Sequence, residues 1–432
     1  MFLKPLQETR EHAPSYYAAT ANWQTTYPAL QGHTTADVCI VGGGFSGVAT
    51  AVELAEKGYK VVLIEANRIS WGATGRNGGQ VIGGLGHNVT QFKNTIGEDG
   101  VKAIYQMGVE CVEIIKSRVA KYNIRCDLKN GYMDVALKPR QAREFEEYKE
   151  SQELHGYPYP LRLLNAEETQ EIVKSKKYCG GLLNESGWGH IHPLNLCIGE
   201  ARAAEQLGAR IFEQSRVQKI VHGDKPTVHT EQGSVQANYV VLCGNAYLEN
   251  LVPQLATRVL PCASFIIATE PLGARTQEVL TKDVAVCDPR AALDYYRLSN
   301  DGRLLFGGMA NYTGLAPRDI TGTMRKKMLD VFPQLENARI DYTWGGQMGI
   351  GLNRIPQLGR INNNVYYVQA YSGHGVAPTH IMGKVLADAI SGNAERFDIF
   401  AKIKHWPFPG GKLLRRPGLA LGMLYYRLKD AL

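Results

Sequence analysis

Along this chain, short uninterrupted apolar runs alternate with longer stretches in which apolar residues recur every three or four positions. The runs at 38–41, 61–64, 235–242 and 365–370 have the pattern of strands buried on both faces. Helical spacing predicts helices over 45–57, 95–122, 194–207 and 323–332, and a last one ending at 390. In the second of these, Ile104, Met107, Val112 and Ile115 carry the period. The charged segment 139–154 predicts a helix with one solvated face. Residues 125–137 predict a hairpin turning at Lys129-Asn130-Gly131, and residues 210–220 a single strand. Between 258 and 340 strands dominate, at 260–269, 293–298 and 304–307, which predicts an antiparallel sheet. An irregular arm, 1–35, is expected to be pinned to the body by Tyr16, Tyr17 and Trp23.

The densest signal lies at 36–80. The run at 38–41 enters Gly42-Gly-Gly44-Phe45-Ser46-Gly47, a helix follows, and the run at 61–64 ends at Glu65-Ala66. This is strand–turn–helix–strand with GxGxxG at the turn, and the acid lies 18 residues past Gly47 where ~20 is expected. The physical demand accounts for each part. Gly42 permits the tight turn, Gly44 lets backbone amides approach a pyrophosphate, and Gly47 lets the helix pack closely. The helix N-terminus then faces the anion with unpaired N–H groups. Glu65 accepts hydrogen bonds from ribose hydroxyls and repels a 2′-phosphate. A dinucleotide-binding unit is therefore predicted, with either a nicotinamide or a flavin nucleotide open at this point.

Composition narrows the class. A chain of 432 residues with 44% hydrophobic and 21% charged residues has the make-up of a globular protein with a large core. Its net charge of +7 is spread along the chain and argues against nucleic acid as a partner. The eight cysteines show no metal-ligand spacing, which predicts free thiols, a reducing compartment and no metal. No signal-like or 18-residue apolar run occurs, so the cytoplasm is expected. The tail, 412–432, mixes apolar and basic residues and suits an amphipathic helix, with docking on the body favoured over a membrane surface.

Nucleotide-type segments recur after two insertions, a discontinuity that favours a flavin enzyme over a simple nicotinamide dehydrogenase. The expected fold is α/β: a Rossmann-like FAD-binding domain (36–124, 188–250 and 341–411) interleaved with an α+β substrate domain on an antiparallel sheet (125–187 and 251–340).

Three motifs resemble the D-amino-acid-oxidase-like family of FAD-dependent amine and amino-acid oxidoreductases: the 42–47 turn, Gly72-Ala73-Thr74-Gly-Arg76-Asn77-Gly78-Gly79-Gln80, and Gly373-His374-Gly375-Val376. Further matching stretches, among them Ser15-Tyr-Tyr-Ala-Ala, His190-Ile-His-Pro and Leu293-Asp-Tyr-Tyr-Arg-Leu, spread the resemblance over nearly the whole chain. It implies FAD, with the adenine ribose on Glu65, adenine at the backbone of Val217, and pyrophosphate at 42–47 and 74–76. Gly244 is expected near the nucleotide, and the 76–80 loop and 373–376 turn beside the isoalloxazine. For His374 two roles stand open, a positive charge near the flavin or a cap on the helix that follows.

The implied reaction is oxidation of an amine C–N bond, with hydride passing to flavin N5 and the imine then hydrolysed. Tyr295, Tyr296 and Trp344 are candidates for the pocket's aromatic walls, each balanced against a packing role. Amino-acid-oxidising members carry an arginine just after Trp-x-Gly, and here Trp344-Gly-Gly-Gln347-Met348 lacks it. That favours an amine, as in polyamine catabolism, with Arg297 or Arg354 as alternative carboxylate partners or mere structural ion pairs. No cysteine lies between 344 and 360, so FAD is expected to be non-covalent. O2 is the expected acceptor, with a quinone or electron carrier as the alternative. Oxidation of a secondary amino acid such as pipecolate or sarcosine, and a non-catalytic flavoprotein, remain as competing readings.

Overall fold

The computed structural model describes residues 3–5, 9–86, 88–248, 251–290, 292–311 and 315–411. The expected amphipathic tail, 412–432, lies outside the described residues.

Two sheets carry the fold. The first has parallel strands at its centre, in the order Val365–Gln369, Gly233–Leu242, Gly32–Val41, Val61–Ile64 and Arg210–Phe212, with Gln357–Asn362 antiparallel at one edge. Its strands read as continuous apolar runs because both faces are covered. Val38 and Ile40 enter the core beneath the helices, while Cys39 and Val41 enter a second core on the opposite face. The helices Phe45–Glu56, Lys93–Lys121, Pro193–Gln206 and Pro378–Ile390 cover the first face and pack on one another.

A buried charge cluster joins all four. Arg118 pairs with Glu53 and, at 3.0 Å, with Glu200, whose carboxylate also meets His380 Nε2 at 3.1 Å. Removing one partner of such a cluster costs about 3–5 kcal/mol, because a charge is left buried and uncompensated.

The second sheet is mostly antiparallel. It runs Ile340–Ile350, Leu260–Thr269, Leu304–Asn311, Tyr295–Leu298, Ala285–Cys287, Lys129–Ala136, Gly180–His190 and Gln80–Val81, with Arg162–Leu164 beside Gly180–His190. Its far face packs on the Ile320–Val331 helix around Phe265, Tyr296, Phe306 and Phe332.

Two sequence expectations change. The Lys129-Asn130-Gly131 segment does not turn. It lies in one strand, and Gly131 (φ 117°) takes up a break in register against Gly180–His190. The stretch 210–220 divides into Arg210–Phe212 and Lys219–Val221. Between them Glu213 turns inward, accepting from Ile69 N at 2.7 Å and pairing with Arg68 at 3.0 Å, which diverts the chain across the end of the first sheet. In the arm, Tyr16 and Tyr17 are buried as expected, within the short helix Tyr16–Ala19. All eight cysteines are free thiols.

Candidate active site

A cavity of about 1450 Å³ opens between the C-terminal ends of the parallel strands and the near face of the second sheet. The crevice beyond the carboxyl ends of parallel strands is where open α/β sheets bind ligands.

At its nucleotide end, Gly42 adopts φ 111°, and a Cβ there would stand 2.9 Å from the Cys243 carbonyl. A Cβ on Gly47 would lie 1.9 Å from the Gly42 oxygen, so close packing of helix on turn requires this glycine. Gly44 is the N-cap of the Phe45–Glu56 helix and makes no side-chain cap; Phe45 N donates to Thr74 Oγ1 at 3.1 Å, and the first-turn amides beyond it are left for an anion. Glu65 is oriented by two backbone donors, Gly43 N to Oε2 at 2.7 Å and Asn67 N to Oε1 at 2.8 Å. Burial pushes its carboxyl above the usual range. Gly42, Gly44, Phe45, Ser46, Glu65, Ala66, Val217 and Gly244 line the cavity, and Gly47 supports the turn from behind.

The 72–80 loop forms the next wall. Asn77 Nδ2 donates to the Thr74 carbonyl at 2.7 Å, and Asn77 Oδ1 accepts from Gly79 N at 2.8 Å. Arg76 lies over the Trp71 ring and donates to the Trp71 carbonyl at 2.8 Å. Gly72, Ala73, Thr74, Arg76, Asn77, Gly78 and Gln80 line the cavity, whereas Gly79 (φ 80°) is turned toward Ile191 and Arg297.

Two residues expected at the substrate are instead this loop's scaffolding. Trp344 is buried among Tyr17 and its neighbours and donates from Nε1 to the Arg76 carbonyl at 3.0 Å. Arg297 is buried and donates to the carbonyls of Gly78 (2.8 Å) and Ile191 (2.7 Å) and to Tyr17 Oη (3.1 Å). With its donors spent on fixed carbonyls, it has no reach into the cavity.

The late turn closes the same space. Gly373, His374, Gly375 and Val376 all line the cavity, and Ser46 Oγ donates to Tyr371 Oη at 2.8 Å, tying this turn to the glycine fingerprint. Ala370 and Ser372 hold positive φ, 62° and 57°, a strained backbone of the kind that clusters at functional sites. His374 meets neither of its expected roles. It is half-buried in the cavity wall, where desolvation lowers its pKa and disfavours a positive charge, and its Nε2 donates to the Gly83 carbonyl at 2.9 Å. The following helix has Ala377 as N-cap, with no side-chain cap.

The other half of the cavity is built on the second sheet. In register across three adjacent strands stand Asp134, Cys287 and Tyr295, and opposite Tyr295 is Gly307, whose missing side chain leaves room for the ring. Residues opposite one another share a face, and this row faces the cavity. Tyr296, one residue on, must point the other way. It is fully buried, stacks on Phe306 and donates to Tyr178 Oη at 3.0 Å, so its expected place in the pocket is corrected to the core. Arg354 and Arg290 line the cavity, but Arg290 is paired with Asp288 and Asp294.

Sequence reasoning missed several lining residues: Tyr105, Tyr132, Asp134, Tyr148, Tyr157 and Trp188. The signal available was an acid on the inward parity of an otherwise apolar strand, Tyr132-Met-Asp134-Val-Ala.

This donor set fits FAD. The long cavity joins an acid held for ribose, an open helix N-terminus and a glycine-lined redox end. At that end the Gln80 Nε2 is buried without a hydrogen-bond partner, a donor awaiting an acceptor. Glu65, the 42–47 turn and the 74–80 loop would hold it. Among the described residues no group of three or more metal-ligating side chains occurs, and no helix is long and apolar enough to cross a membrane.

The comparisons agree with this geometry. The family model "FAD dependent oxidoreductase" (DAO) matches residues 37–389. Gamma-glutamylputrescine oxidoreductase of Escherichia coli K12 is 44% identical over 98% of this chain and 99% of its own length. Probable oxidoreductase OrdL of Haemophilus influenzae is 41% identical over 98% of each. Among solved structures, L-proline dehydrogenase from P. horikoshii superposes with a TM-score of 0.68 at 22% identity, over 87% of this chain and 97% of its own. On the family match across most of its length and on these relatives, the chain belongs to the DAO family of FAD-dependent oxidoreductases.

Proposed function

We propose that this protein oxidises the terminal amine carbon of a γ-glutamylated diamine, γ-glutamylputrescine or a close analogue, with O2 accepting the electrons in turn. The observation that carries this reading is the 44% identity to the E. coli gamma-glutamylputrescine oxidoreductase across nearly the full length of both chains. The pocket chemistry supports it. The strand Ile340–Ile350 presents Gln347 and Met348 to the cavity, with no guanidinium there to clamp a carboxylate on the oxidised carbon. Bound FAD supplies the two-electron acceptor for the C–N oxidation.

The chain's own residues hold and orient. The scaffolded 72–80 loop and the 373–376 turn face each other across the redox end. Tyr295 packs against Gly78, where a Cβ would meet its ring at 2.5 Å, and this contact with the 72–80 loop supports a role for the ring beside the reacting amine. Arg354 is the candidate for the substrate's distant carboxylate.

The test is anaerobic mixing of the purified yellow protein with γ-glutamylputrescine, putrescine, pipecolate and sarcosine, followed by air. Bleaching by γ-glutamylputrescine and quick recovery in air are expected. Bleaching by pipecolate or sarcosine alone would overturn the substrate, and slow recovery would assign a carrier in place of O2.

A further inference from the structure

One carboxylate in the cavity has no counter-charge. Asp134 accepts a hydrogen bond on Oδ1 from Tyr132 Oη at 2.7 Å. Among the described residues no donor meets its other oxygen, and no lysine, arginine or histidine pairs with it. The lining guanidinium in the loop after Ala285–Cys287, Arg290, is already committed to Asp288 and Asp294. Asp134 is half-buried in the cavity wall, and a cationic ligand that enters beside it and excludes water favours its ionised form.

The walls around it are aromatic. Trp188 lies edge-to-face with Tyr132 at 5.3 Å between ring centroids, with Tyr157 at 6.0 Å and Tyr148 at 6.4 Å on its other sides. All four rings line the same cavity as Asp134. Aromatic faces grouped about one negative group are the recurring recognition chemistry for an ammonium.

The place of this cluster in the sheet sets its distance from the chemistry. Tyr295, against the 72–80 loop, and Asp134 share a row two strands apart, which is ~10 Å at the ordinary inter-strand spacing of ~4.8 Å. That spacing separates Asp134 from the Tyr295 end of the row, and it supports a contact with a part of the substrate away from the group beside Tyr295.

We propose that Asp134, with Tyr132, Tyr148, Tyr157 and Trp188, forms a subsite for a second ammonium group of the substrate, remote from the oxidised carbon. Resting on the amine-oxidation reading above, this assigns the subsite to the α-ammonium of the γ-glutamyl head. That group sits at the end of extended γ-glutamylputrescine opposite the reacting amine. Burial pushes the Asp134 carboxyl up to about 7 against the Tyr132 hydrogen bond, the direction expected of a carboxylate with no counter-charge, and Asp288 adds to the effect.

The experiment compares two substrates and one dead-end ligand on the holoenzyme and its Asp134→Asn variant. Asparagine keeps the size and the Tyr132 hydrogen bond, and flavin occupancy and melting temperature check that it folds. N-glutarylputrescine is the substrate without its α-ammonium, and γ-glutamylethylamide keeps the head with its α-ammonium but lacks the terminal amine that is oxidised. Anaerobic flavin bleaching should give a half-saturating concentration about ten-fold lower for γ-glutamylputrescine than for N-glutarylputrescine in the native enzyme. In the variant this preference should collapse to near unity, through KM and not through the limiting rate. Calorimetry should detect γ-glutamylethylamide binding to the native protein and at least about ten-fold weaker binding to the variant. Tyr148→Leu should weaken the same preference about three-fold by removing one aromatic wall.

Preference retained in Asp134→Asn, or both substrates weakened equally, would overturn the subsite. If γ-glutamylputrescine fails to bleach the native flavin, the substrate reading fails. The γ-glutamylethylamide titration then decides the subsite by itself.

Discussion

The Arg297 guanidinium donates from Nε to the carbonyl of Gly78 at 2.8 Å, joining a strand of the second sheet to the loop that borders the redox end. The same side chain holds Ile191 and Tyr17, so one residue sets the height of the 78–80 backbone over the cavity. Lysine keeps the charge but not the planar fork. Arg297→Lys is expected to cost about 2 kcal/mol of stability through lost charged hydrogen bonds. It should also speed FAD loss on dialysis, read from the flavin-to-protein absorbance ratio. Unchanged retention would mean that the loop holds its position without this clamp.

Glu65 is fixed by Gly43 N and Asn67 N, and its remaining lone pairs face the cavity. Glu65→Ala removes both the ribose acceptor and the brace on the glycine turn. Titration of the apoprotein with FAD should show a dissociation constant raised about ten-fold or more, each ten-fold being ~1.4 kcal/mol. An unaltered constant would contradict the ribose assignment.

His192 makes the fold acid-sensitive. Its Nδ1 accepts from Asn195 N at 3.2 Å, as the N-cap of the Pro193–Gln206 helix, and Nε2 meets Thr20 Oγ1 at 3.1 Å. The Thr20 hydroxyl already donates to the Tyr16 carbonyl, so Nε2 carries the ring's single proton. Burial, with Arg297 nearby, lowers its pKa from 6.5 to about 3. Because the folded value is the lower one, the unfolded chain takes up the proton first. Stability is full above pH 6.5 and is lost as pH falls from there toward 3, by about 2 kcal/mol at pH 5. His192→Asn keeps an N-cap acceptor without a titrating ring. Melting temperatures at pH 7.5 and pH 5 should therefore differ less in the variant than in the native protein. An equal difference in both would move the acid sensitivity to the other buried histidines.

The cofactor end was legible because its information is local. A glycine fingerprint, the strand before it and the acid after it lie within 36–80, and each residue answers to a turn or a helix end a few positions away. The pocket walls were not legible in the same way. Tyr295 and Tyr296 are adjacent and chemically identical, and only strand parity separates the ring at the cavity from the ring in the core. Asp134 looked like one acid in an apolar strand until pairing with Ala285–Cys287 placed it in a row with Tyr295.

The sequence by itself determined the α/β class, the FAD-type turn and the absence of an arginine after Trp344, since each depends on short-range backbone geometry or on residue identity. The tertiary structure decided which side chains reach the substrate space. Arg297 and Trp344 became supports, His374 a donor to Gly83, and Asp134 a cavity carboxylate without a counter-charge. Each of these depends on contacts between strands and loops far apart in the chain, where burial and register, not residue type, set what a side chain can do.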